Sequence, residues 1–476
     1  MTKTDVVIIG AGIIGAGIAR ELSRYNLNIA LLDKESDVCS GASRANNGMI
    51  HSGNDPEPGT LKAKHNVIGN RLYSEWAKEL KFPFRRIGAW MTARKREEIP
   101  ALEHLMEKGA KNGVTDLELI TDQRRLQKEE PNLKIIAAVN APGTAIISPH
   151  LTVVALAENA VRNSVKLLLN TAVTGIAVDR NTVRGVKTSV GFIETKAVVN
   201  AGGIYADDIA RLAGISDFTI TPRKGEYILL DKDCSPVRRL IYPAPTNMSK
   251  GIGILPTIDG NLLLGPTAVD VDDKEDRSMS AEAMTRILKD CLDICPSINK
   301  SKIIAAFAGL RAVADTNDFV IGPTAIDGFF NAAGIQSPGL SSAPSIAREM
   351  AVTVANYLRA GSNLQFEPEN EKKVRFAELS LTEKEKLIRK DKRYGHVVCR
   401  CEQVTEYEVV EAIHSALAPR TIDALKTRLR LGMGRCQGAF CLPRVIRTLQ
   451  GELNIDVGEI TLKGQGSSLF SKENQL

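Results

Sequence analysis

The first 33 residues constrain the fold of this chain more than any other stretch. An apolar run over residues 6–9 passes into a glycine turn at residues 10–15 and then into a helical pattern that continues to Arg24. A second strand-like run, residues 28–32, ends at Asp33. Together these segments predict the βαβ unit that binds a dinucleotide, with the diphosphate at the helix N-terminus. The alternative is a glycine-rich turn in an ordinary parallel α/β sheet.

Each glycine of the turn has its own mechanical role. Gly10 allows the tight turn, Gly12 lets the backbone approach the diphosphate, and Gly15 permits close packing of helix on strand. Asp33 is placed to accept hydrogen bonds from ribose hydroxyls, and its charge repels a 2′-phosphate. The cofactor-binding residues predicted in this unit are Gly10, Gly12, Ile13, Ile14, Gly15, Asp33 and Lys34.

Length and charge narrow the class of protein. A chain of 476 residues exceeds what one hydrophobic core usually serves, so we expect two or three domains. No apolar run approaches the ~20 residues needed to span a bilayer, and we expect no signal peptide and a cytoplasmic location. The net charge of +6, from 62 basic and 56 acidic residues, is too balanced to indicate nucleic-acid binding.

The eight cysteines are unevenly distributed along the chain. Four are scattered and are expected to pack as small apolar side chains: Cys39, Cys234, Cys291 and Cys295. The other four lie in the last fifth of the chain, as Cys399-x-Cys401 and Cys436-x4-Cys441. In a cytosolic chain such a group predicts a metal site rather than disulfide bonds.

Further segments suit a ligand-binding α/β domain with a second domain inserted. Residues 40–53 are rich in small and amide side chains and are typical of a functional loop. A predicted buried strand at residues 197–200 ends in small residues, which suits a backbone close to a ligand. Residues 218–266 alternate as an antiparallel sheet. Residues 329–340 repeat the order of strand, glycine turn and helix start.

Several motifs carry a resemblance to a known family. Residues 1 to about 358 resemble the glycerol-3-phosphate dehydrogenase/oxidase group of flavoproteins, within the D-amino-acid-oxidase-like superfamily, in GAGIIGAGIARELSR, SRANNGMIHSGNDPEPGTLKAK, VVNAGGIYAD, GLRAVADTNDFVIGP and NAAGIQSPGLSSAPSIA. The tail is similar to the [2Fe-2S] domain of bacterioferritin-associated ferredoxin type in CRCEQV and GMGRCQGAFC. The resemblance implies FAD and a [2Fe-2S] cluster. Their pairing resembles the catalytic subunit of multi-subunit dehydrogenases, which implies a second redox subunit, a flavoprotein.

The predicted fold class is therefore α/β plus α+β. A Rossmann-type FAD-binding domain carries an antiparallel-sheet substrate domain and is followed by a small C-terminal [2Fe-2S] domain. The expected boundaries are 1–80, 141–215 and 303–360 for the FAD-binding domain, 81–140 and 216–302 for the substrate domain, 361–394 for a linker, 395–455 for the cluster domain and 456–476 for a tail.

The resemblance also implies site residues outside the first unit. Those that match flavin-contacting positions of the family are Ser43, Arg44, Asn47, Gly48, Met49, Val173, Ala201, Gly202, Gly309, Ser337, Gly339 and Leu340. Those that match substrate-side positions are His51, Lys250 and Arg311. The segment PGTLKA, after the His51 loop, also resembles L-2-hydroxyglutarate dehydrogenases, which leaves the substrate open.

The three substrate-side residues suit the oxidation of an anionic secondary alcohol. The reaction needs a hydride acceptor and a group that takes the hydroxyl proton, and the imidazole of His51 can take a proton at neutral pH. Arg311 presents a planar fork that suits a phosphate or carboxylate, and Lys250 adds a point charge. The structural alternatives are a loop anchor for His51, a surface salt bridge for Arg311 and a solvated side chain for Lys250.

The spacing of the four C-terminal cysteines suits a [2Fe-2S] cluster held by Cys399, Cys401, Cys436 and Cys441. Zinc is the alternative metal, because four thiolates suit it as well. Nearby basic side chains are expected to stabilise an anionic cluster, unless they form a solvated face: Arg400, Lys426, Arg428, Arg430 and Arg435.

We predict an FAD-dependent dehydrogenase that oxidises sn-glycerol 3-phosphate to dihydroxyacetone phosphate and passes electrons through the cluster to a second redox subunit. One alternative is the same chemistry on L-2-hydroxyglutarate or a related 2-hydroxy acid. The other is a non-catalytic redox or iron-responsive module. No nucleic-acid partner is expected, and peripheral membrane association stays open.

Overall fold

The computed structural model describes residues 2–245 and 251–470, and its first layer is a mostly parallel sheet. Its strands come from distant parts of the chain, and their carboxyl ends meet at one edge, where ligands of such sheets bind. In spatial order they are β10 (Lys166–Leu168), β3 (Ile29–Leu32), β2 (Val6–Ile9), β14 (Ala197–Asn200), β22 (Phe329–Ala333) and β21 (Val320–Pro323), with β21 antiparallel.

Helices cover one face of this sheet, and the apolar side chains of its other face belong to a second core. These helices are α1 (Ile13–Leu22), α2 (Leu61–Leu80), α5 (Pro149–Arg162) and α8 (Gly339–Tyr357). A Cβ atom on Gly17 of α1 would lie 3.0 Å from the ring of Trp76 and 3.2 Å from Ala347, so a larger residue there would require these neighbours to shift.

The second layer is a large, mainly antiparallel sheet. Its path is β19 (Val269–Asp270), β15 (Ile220–Leu230), β18 (Leu262–Gly265), β17 (Gly253–Pro256), β16 (Leu240–Pro243), β6 (Ala89–Ala93), β8 (Ala137–Ala141) and β7 (Glu118–Ile120), and β20 (Ile303–Ala314) pairs with β15. β20 runs antiparallel to β15 along its whole length, so residues 303–314 belong to this sheet, although residue 303 was expected to open the last segment of the FAD-binding domain. The domain boundaries stay predictions.

Smaller elements complete the described part of the chain. The remaining strands are β1 (Thr2–Lys3), β4 (Met49–Ile50), β5 (Phe84–Arg86), β9 (Ala145–Ile147), β11 (Val173–Asp179), β12 (Thr182–Thr188), β13 (Gly191–Glu194), β23 (Val397–Cys399) and β24 (Val404–Thr405). The remaining helices are α3 (Ile99–Lys111), α4 (Gln123–Glu129), α6 (Ala206–Leu212), α7 (Ala281–Ile294), α9 (Leu381–Lys390), α10 (Glu406–Ile413), α11 (Ile422–Leu429) and α12 (Leu442–Leu453). Within residues 2–245 and 251–470, no helix is long and apolar enough to cross a membrane.

Part of the predicted linker is packed rather than free. The side chain of Asn370 is buried, donates to the Ala155 carbonyl at 2.8 Å and accepts from Asn159 at 3.1 Å. Asn159 also accepts a hydrogen bond from the guanidinium of Arg20, which has no exposed surface. This network fastens the segment after α8 to the face of the first layer.

Replacing Arg20 by Met should lower the free energy of unfolding by about 3–5 kcal/mol, because Glu21 would stay buried without its main counter-charge. Arg24 also pairs with Glu21 but is one-third exposed, so Arg24→Met should cost about 1 kcal/mol or less. Urea unfolding of the two variants measures the difference. Equal losses of unfolding free energy in the two variants would show that buried Glu21 does not depend mainly on Arg20 for its counter-charge.

Candidate active site and cluster domain

A cavity of about 1430 Å³ opens where the strand ends of the first sheet face the second sheet. Of the predicted site residues it is lined by Gly10, Gly12, Ile13, Ile14, Asp33, Lys34, Ser43, Arg44, Asn47, Met49, His51, Val173, Ala201, Gly202, Gly309, Arg311, Ser337, Gly339 and Leu340. Lys250 lies outside the described residues. The sequence thus predicted most of one wall, although the binding role of each residue stays a prediction.

Two predicted residues, Gly15 and Gly48, do not line this cavity. A Cβ atom on Gly15 would lie 1.8 Å from the Gly10 carbonyl oxygen, so this glycine serves the packing of α1 on the turn. Gly48 has φ +68°, and a Cβ atom there would lie 2.4 Å from the Ile147 carbonyl oxygen. Gly48 therefore forms a turn that brings the loop against β9, and its assignment as a cofactor contact stays a prediction.

The glycine turn has the geometry that a dinucleotide needs. Gly10 has φ +101°, a conformation that favours glycine. The amide of Ala11 donates to Asp33 Oδ2 at 2.7 Å, and the amide of Ile13 donates to Ser43 Oγ at 2.9 Å. These bonds hold the start of α1, the carboxylate and the loop around one space, which fits the diphosphate and ribose of FAD.

In the described part of the chain, a residue that lines this cavity has a buried nitrogen atom without a hydrogen-bond partner. Within residues 2–245 and 251–470, the buried Nδ1 of His150 has no hydrogen-bond partner, and this residue also lines the cavity. Burial lowers the pKa of His150 to about 4, so its ring is neutral at neutral pH. A buried polar atom usually has a partner, and its orphaned state fits a bound ligand. The sequence analysis had singled out only one histidine, and not this one.

Hydrogen bonds hold the loop of residues 40–53 in place at His51. The main-chain amide of His51 donates to Ser341 Oγ at 2.7 Å. Its carbonyl accepts from the side-chain amides of Asn66 at 2.8 Å and Asn70 at 3.0 Å. Contacts from α2 and α8 therefore fix the backbone of His51 at the cavity, independently of its imidazole.

Two glycines near Arg311 make room for close contacts, Gly225 for the Arg311 side chain and Gly309 for the backbone of Ala45. Arg311 stands opposite Arg223 on β15, and a Cβ atom on the neighbouring Gly225 would lie 2.6 Å from an Arg311 guanidinium nitrogen. A Cβ atom on Gly309 would lie 2.2 Å from the Ala45 carbonyl oxygen. The strand β20 thereby contacts the loop of residues 40–53 at Ala45 and presents the guanidinium of Arg311 to the cavity.

Two tyrosines that the sequence analysis did not identify complete this region. Tyr227 is hydrogen-bonded to Arg311, and its burial raises its pKa. The Tyr242 hydroxyl accepts from the side-chain amide of Asn47 at 2.9 Å, and burial raises its pKa as well. Arg311 also donates to the Thr267 carbonyl at 3.3 Å. The only signal in the sequence was a tyrosine in each of two predicted strands, which buried packing explains equally well.

The four C-terminal cysteines form two hydrogen-bonded pairs. A hydrogen bond with Cys441 lowers the pKa of Cys399 to about 6, and both side chains are buried. Cys401 and Cys436 form the second pair and are only half-buried. A Cβ atom on Gly434 would lie 2.3 Å from the Cβ of Cys401, so a glycine is required where the loops meet.

The two pairs of thiols bear on which metal they would hold. A single zinc needs four converging ligands, whereas a [2Fe-2S] cluster places two thiolates on each iron. Two pairs of thiols therefore fit the two-iron cluster.

Three of the five basic residues around the cysteines pair with carboxylates. Arg428 pairs with Asp37 at 2.6 Å and is buried, and Arg430 pairs with Asp259 at 2.7 Å and with Glu402 at 2.8 Å. Arg435 is exposed and lies 3.3 Å from Asp231. Electrostatic support of the cluster by the remaining two, Arg400 and Lys426, stays a prediction.

Comparison with known proteins agrees with the two sites. Residues 5–352 match the family of FAD dependent oxidoreductases, and residues 397–450 match the BFD-like [2Fe-2S] binding domain. A solved structure of L-α-glycerophosphate oxidase from Mycoplasma pneumoniae, dithionite-reduced and with FAD bound, is 34% identical with a TM-score of 0.74, and the match covers 78% of this chain and 99% of the other.

Two relatives differ in how much of the chain they share. Glycerol 3-phosphate dehydrogenase of Caloramator mitchellensis is 42% identical over 475 residues, which cover 98% of each chain. The mitochondrial L-2-hydroxyglutarate dehydrogenase of Homo sapiens is 34% identical over 282 residues, which cover 56% of this chain and 61% of that protein. The chain belongs to the family of FAD-dependent oxidoreductases, and residues 397–450 are its [2Fe-2S] domain of the BFD-like type.

Proposed function

We propose that this protein oxidises sn-glycerol 3-phosphate to dihydroxyacetone phosphate and that its cluster domain passes the electrons to a second redox protein. The observation that carries the substrate is a relative named glycerol 3-phosphate dehydrogenase, 42% identical over both domains. The cavity agrees with this choice, because His51 and the guanidinium-bearing Arg311 both line it. A phosphate monoester fits that guanidinium.

FAD, when bound, supplies the hydride acceptor for the alcohol carbon. The protein residues then have separate tasks. Arg311, hydrogen-bonded to Tyr227 and to the Thr267 carbonyl, binds and orients the anionic end. His51 accepts the hydroxyl proton as the carbon is oxidised. Hydrogen bonds to its main chain hold His51 at the cavity.

The exposed half of the cluster site supports the proposed exit for electrons. Cys401 and Cys436 are the half-exposed pair, and Arg400 and Arg444 stack on either side of Phe440 beside them, at 4.2 and 4.0 Å from its ring centroid. Residues 431–448 contain no acidic side chain. A basic surface next to the outer thiolates suits a redox partner with an acidic face.

Two other functions are tested against this one. L-2-hydroxyglutarate also has an anionic end and a secondary alcohol, and the human relative that acts on it by name is 34% identical over 282 residues. A non-catalytic redox module has no observation in its favour, since the family is one of enzymes.

Anaerobic addition of each substrate to the purified holoenzyme separates the three functions. Glycerol 3-phosphate should bleach the oxidised flavin absorption band, and dihydroxyacetone phosphate should appear in equal amount. Bleaching by L-2-hydroxyglutarate alone would establish the alternative substrate. If neither compound changed the flavin absorption band, the non-catalytic redox module would be the remaining function.

Replacing Arg311 by Lys should raise KM for glycerol 3-phosphate about 10- to 100-fold with a smaller change in kcat, because the charge stays while the two-pronged bond is lost. Steady-state kinetics with an artificial acceptor measures the split. Arg125→Lys, on α4 and paired with Glu118, is the matched control, because that arginine does not line the cavity, and it should change KM little. An equal rise in both variants would remove Arg311 from the substrate site.

A further inference from the structure

The cluster domain is fastened directly onto the loop that follows β3. Arg428 and Asp37 form two parallel hydrogen bonds of 2.6 and 2.7 Å, with both side chains less than a tenth exposed. Arg44 makes the same kind of pair with Asp423, including a bond of 2.6 Å. Ser36 Oγ donates to the Lys463 carbonyl at 2.5 Å. This part of the chain is therefore held against the dinucleotide-binding unit at three points.

As a result the cluster domain forms part of the cavity wall. From this side the cavity is lined by Thr421, Asp423, Ala424, Lys426 and Lys463. The same cavity is lined by Gly12 and Ile13 at the start of α1 and by Ser43 of the loop of residues 40–53. The family match for FAD ends at residue 352, so this wall belongs to a segment to which that match gives no cofactor contact.

Lys426 differs from the arginines at this junction. Arg44, Arg428 and Arg430 each pair with a carboxylate, and Lys463, which also lines the cavity, is exposed whereas Lys426 is half-buried. In the part of the chain that the structure describes, no carboxylate lies within ion-pair distance of Lys426, and Asp423, one helical turn before it, is already held by Arg44. Burial lowers the pKa of Lys426. A half-buried ammonium without a counter-charge is unfavourable and suits an anionic ligand.

The anion that this cavity is built for is a diphosphate. Dinucleotides place it at the N-terminus of the first helix, and the Ile13 amide there is bonded to Ser43, next to Arg44. Lys426 is close enough to Arg44 and to the orphaned ring of His150 to influence both electrostatically. We infer that Lys426 of the cluster domain binds the diphosphate of FAD, so that the cofactor site of this protein is completed by its C-terminal domain.

The inference does not depend on the substrate, and FAD affinity tests it. FAD is removed, and the apoprotein with its cluster retained is titrated with FAD by quenching of flavin fluorescence. One charge-assisted hydrogen bond corresponds to about a 10- to 100-fold change in Kd, so Lys426→Met should weaken FAD by that factor. Lys426→Arg, which keeps the charge, should stay within about threefold of the parent.

Lys289→Met is the matched control, because that lysine is exposed on α7 and does not line the cavity. It should leave Kd unchanged. Small-angle scattering shows whether Lys426→Met keeps the cluster domain docked, and undocking without loss of FAD affinity would overturn the inference. A second contrary result is an unchanged Kd together with a lowered midpoint potential of the cluster, since Lys426 would then serve the thiolates and not the cofactor.

Discussion

His51→Ala is expected to slow anaerobic reduction of the flavin by glycerol 3-phosphate about 10²–10⁴-fold, the usual cost of removing a general base. The loop should survive the change, because Ser341, Asn66 and Asn70 hold only the main chain of residue 51. Removal of the imidazole therefore tests proton transfer rather than folding. Single-turnover stopped-flow absorbance at saturating substrate measures the reduction rate.

The control is His104→Ala, because that side chain is two-thirds exposed on α3 and should leave the rate unchanged. FAD content and the apparent substrate affinity are recorded for both variants. If flavin reduction in His51→Ala stayed within a few-fold of the parent at full FAD occupancy, the proton acceptor would be another group.

Cys401→Ser should leave flavin bleaching by substrate intact and reduce electron delivery to a one-electron protein acceptor at least about 100-fold. The expected result follows from the outer position of Cys401, which pairs with Cys436 at the solvent side of the domain. Loss of one of four thiolates should empty the cluster site. Two assays on the same preparation, flavin bleaching and reduction of the haem domain of cytochrome b5 as an acidic acceptor, separate the two steps.

Cys234→Ser is the matched control, because this half-buried thiol lies outside the cluster domain. It should pass both assays at the parental rate. A Cys401→Ser protein without iron that still reduced the acceptor at the parental rate would limit the cluster to a structural role.

Local pattern predicted the first βαβ unit well. The apolar strands, the positive φ of Gly10 and the carboxylate of Asp33 depend on neighbours in the sequence, and the structure brings them together as expected. The two cysteine groups were equally readable, since each has a short fixed spacing. What these features share is that their chemistry is encoded within a few residues.

Contacts between residues far apart in the sequence could not be predicted from local patterns. Gly225 has ordinary neighbours in the sequence, and its importance appears only when β15 and β20 pair and Arg311 needs the space. The arginines near the cysteines looked like partners of a cluster, yet Arg428 pairs with Asp37, 391 residues earlier in the chain. Periodicity gives the face of a strand but not the strand or domain that packs against it.

The close approach of Gly309 to Ala45 and the position of Arg311 at the cavity have a consequence for how this architecture diversifies. Residues two apart on a strand point to the same face, so one strand, β20, contacts the loop of residues 40–53 at Gly309 and carries Arg311. A shift of β20 along its axis to fit a longer or shorter substrate would therefore also displace that loop and the cofactor proposed to lie against it. New specificities in such enzymes are therefore expected to arise by exchange of side chains along an unmoved strand.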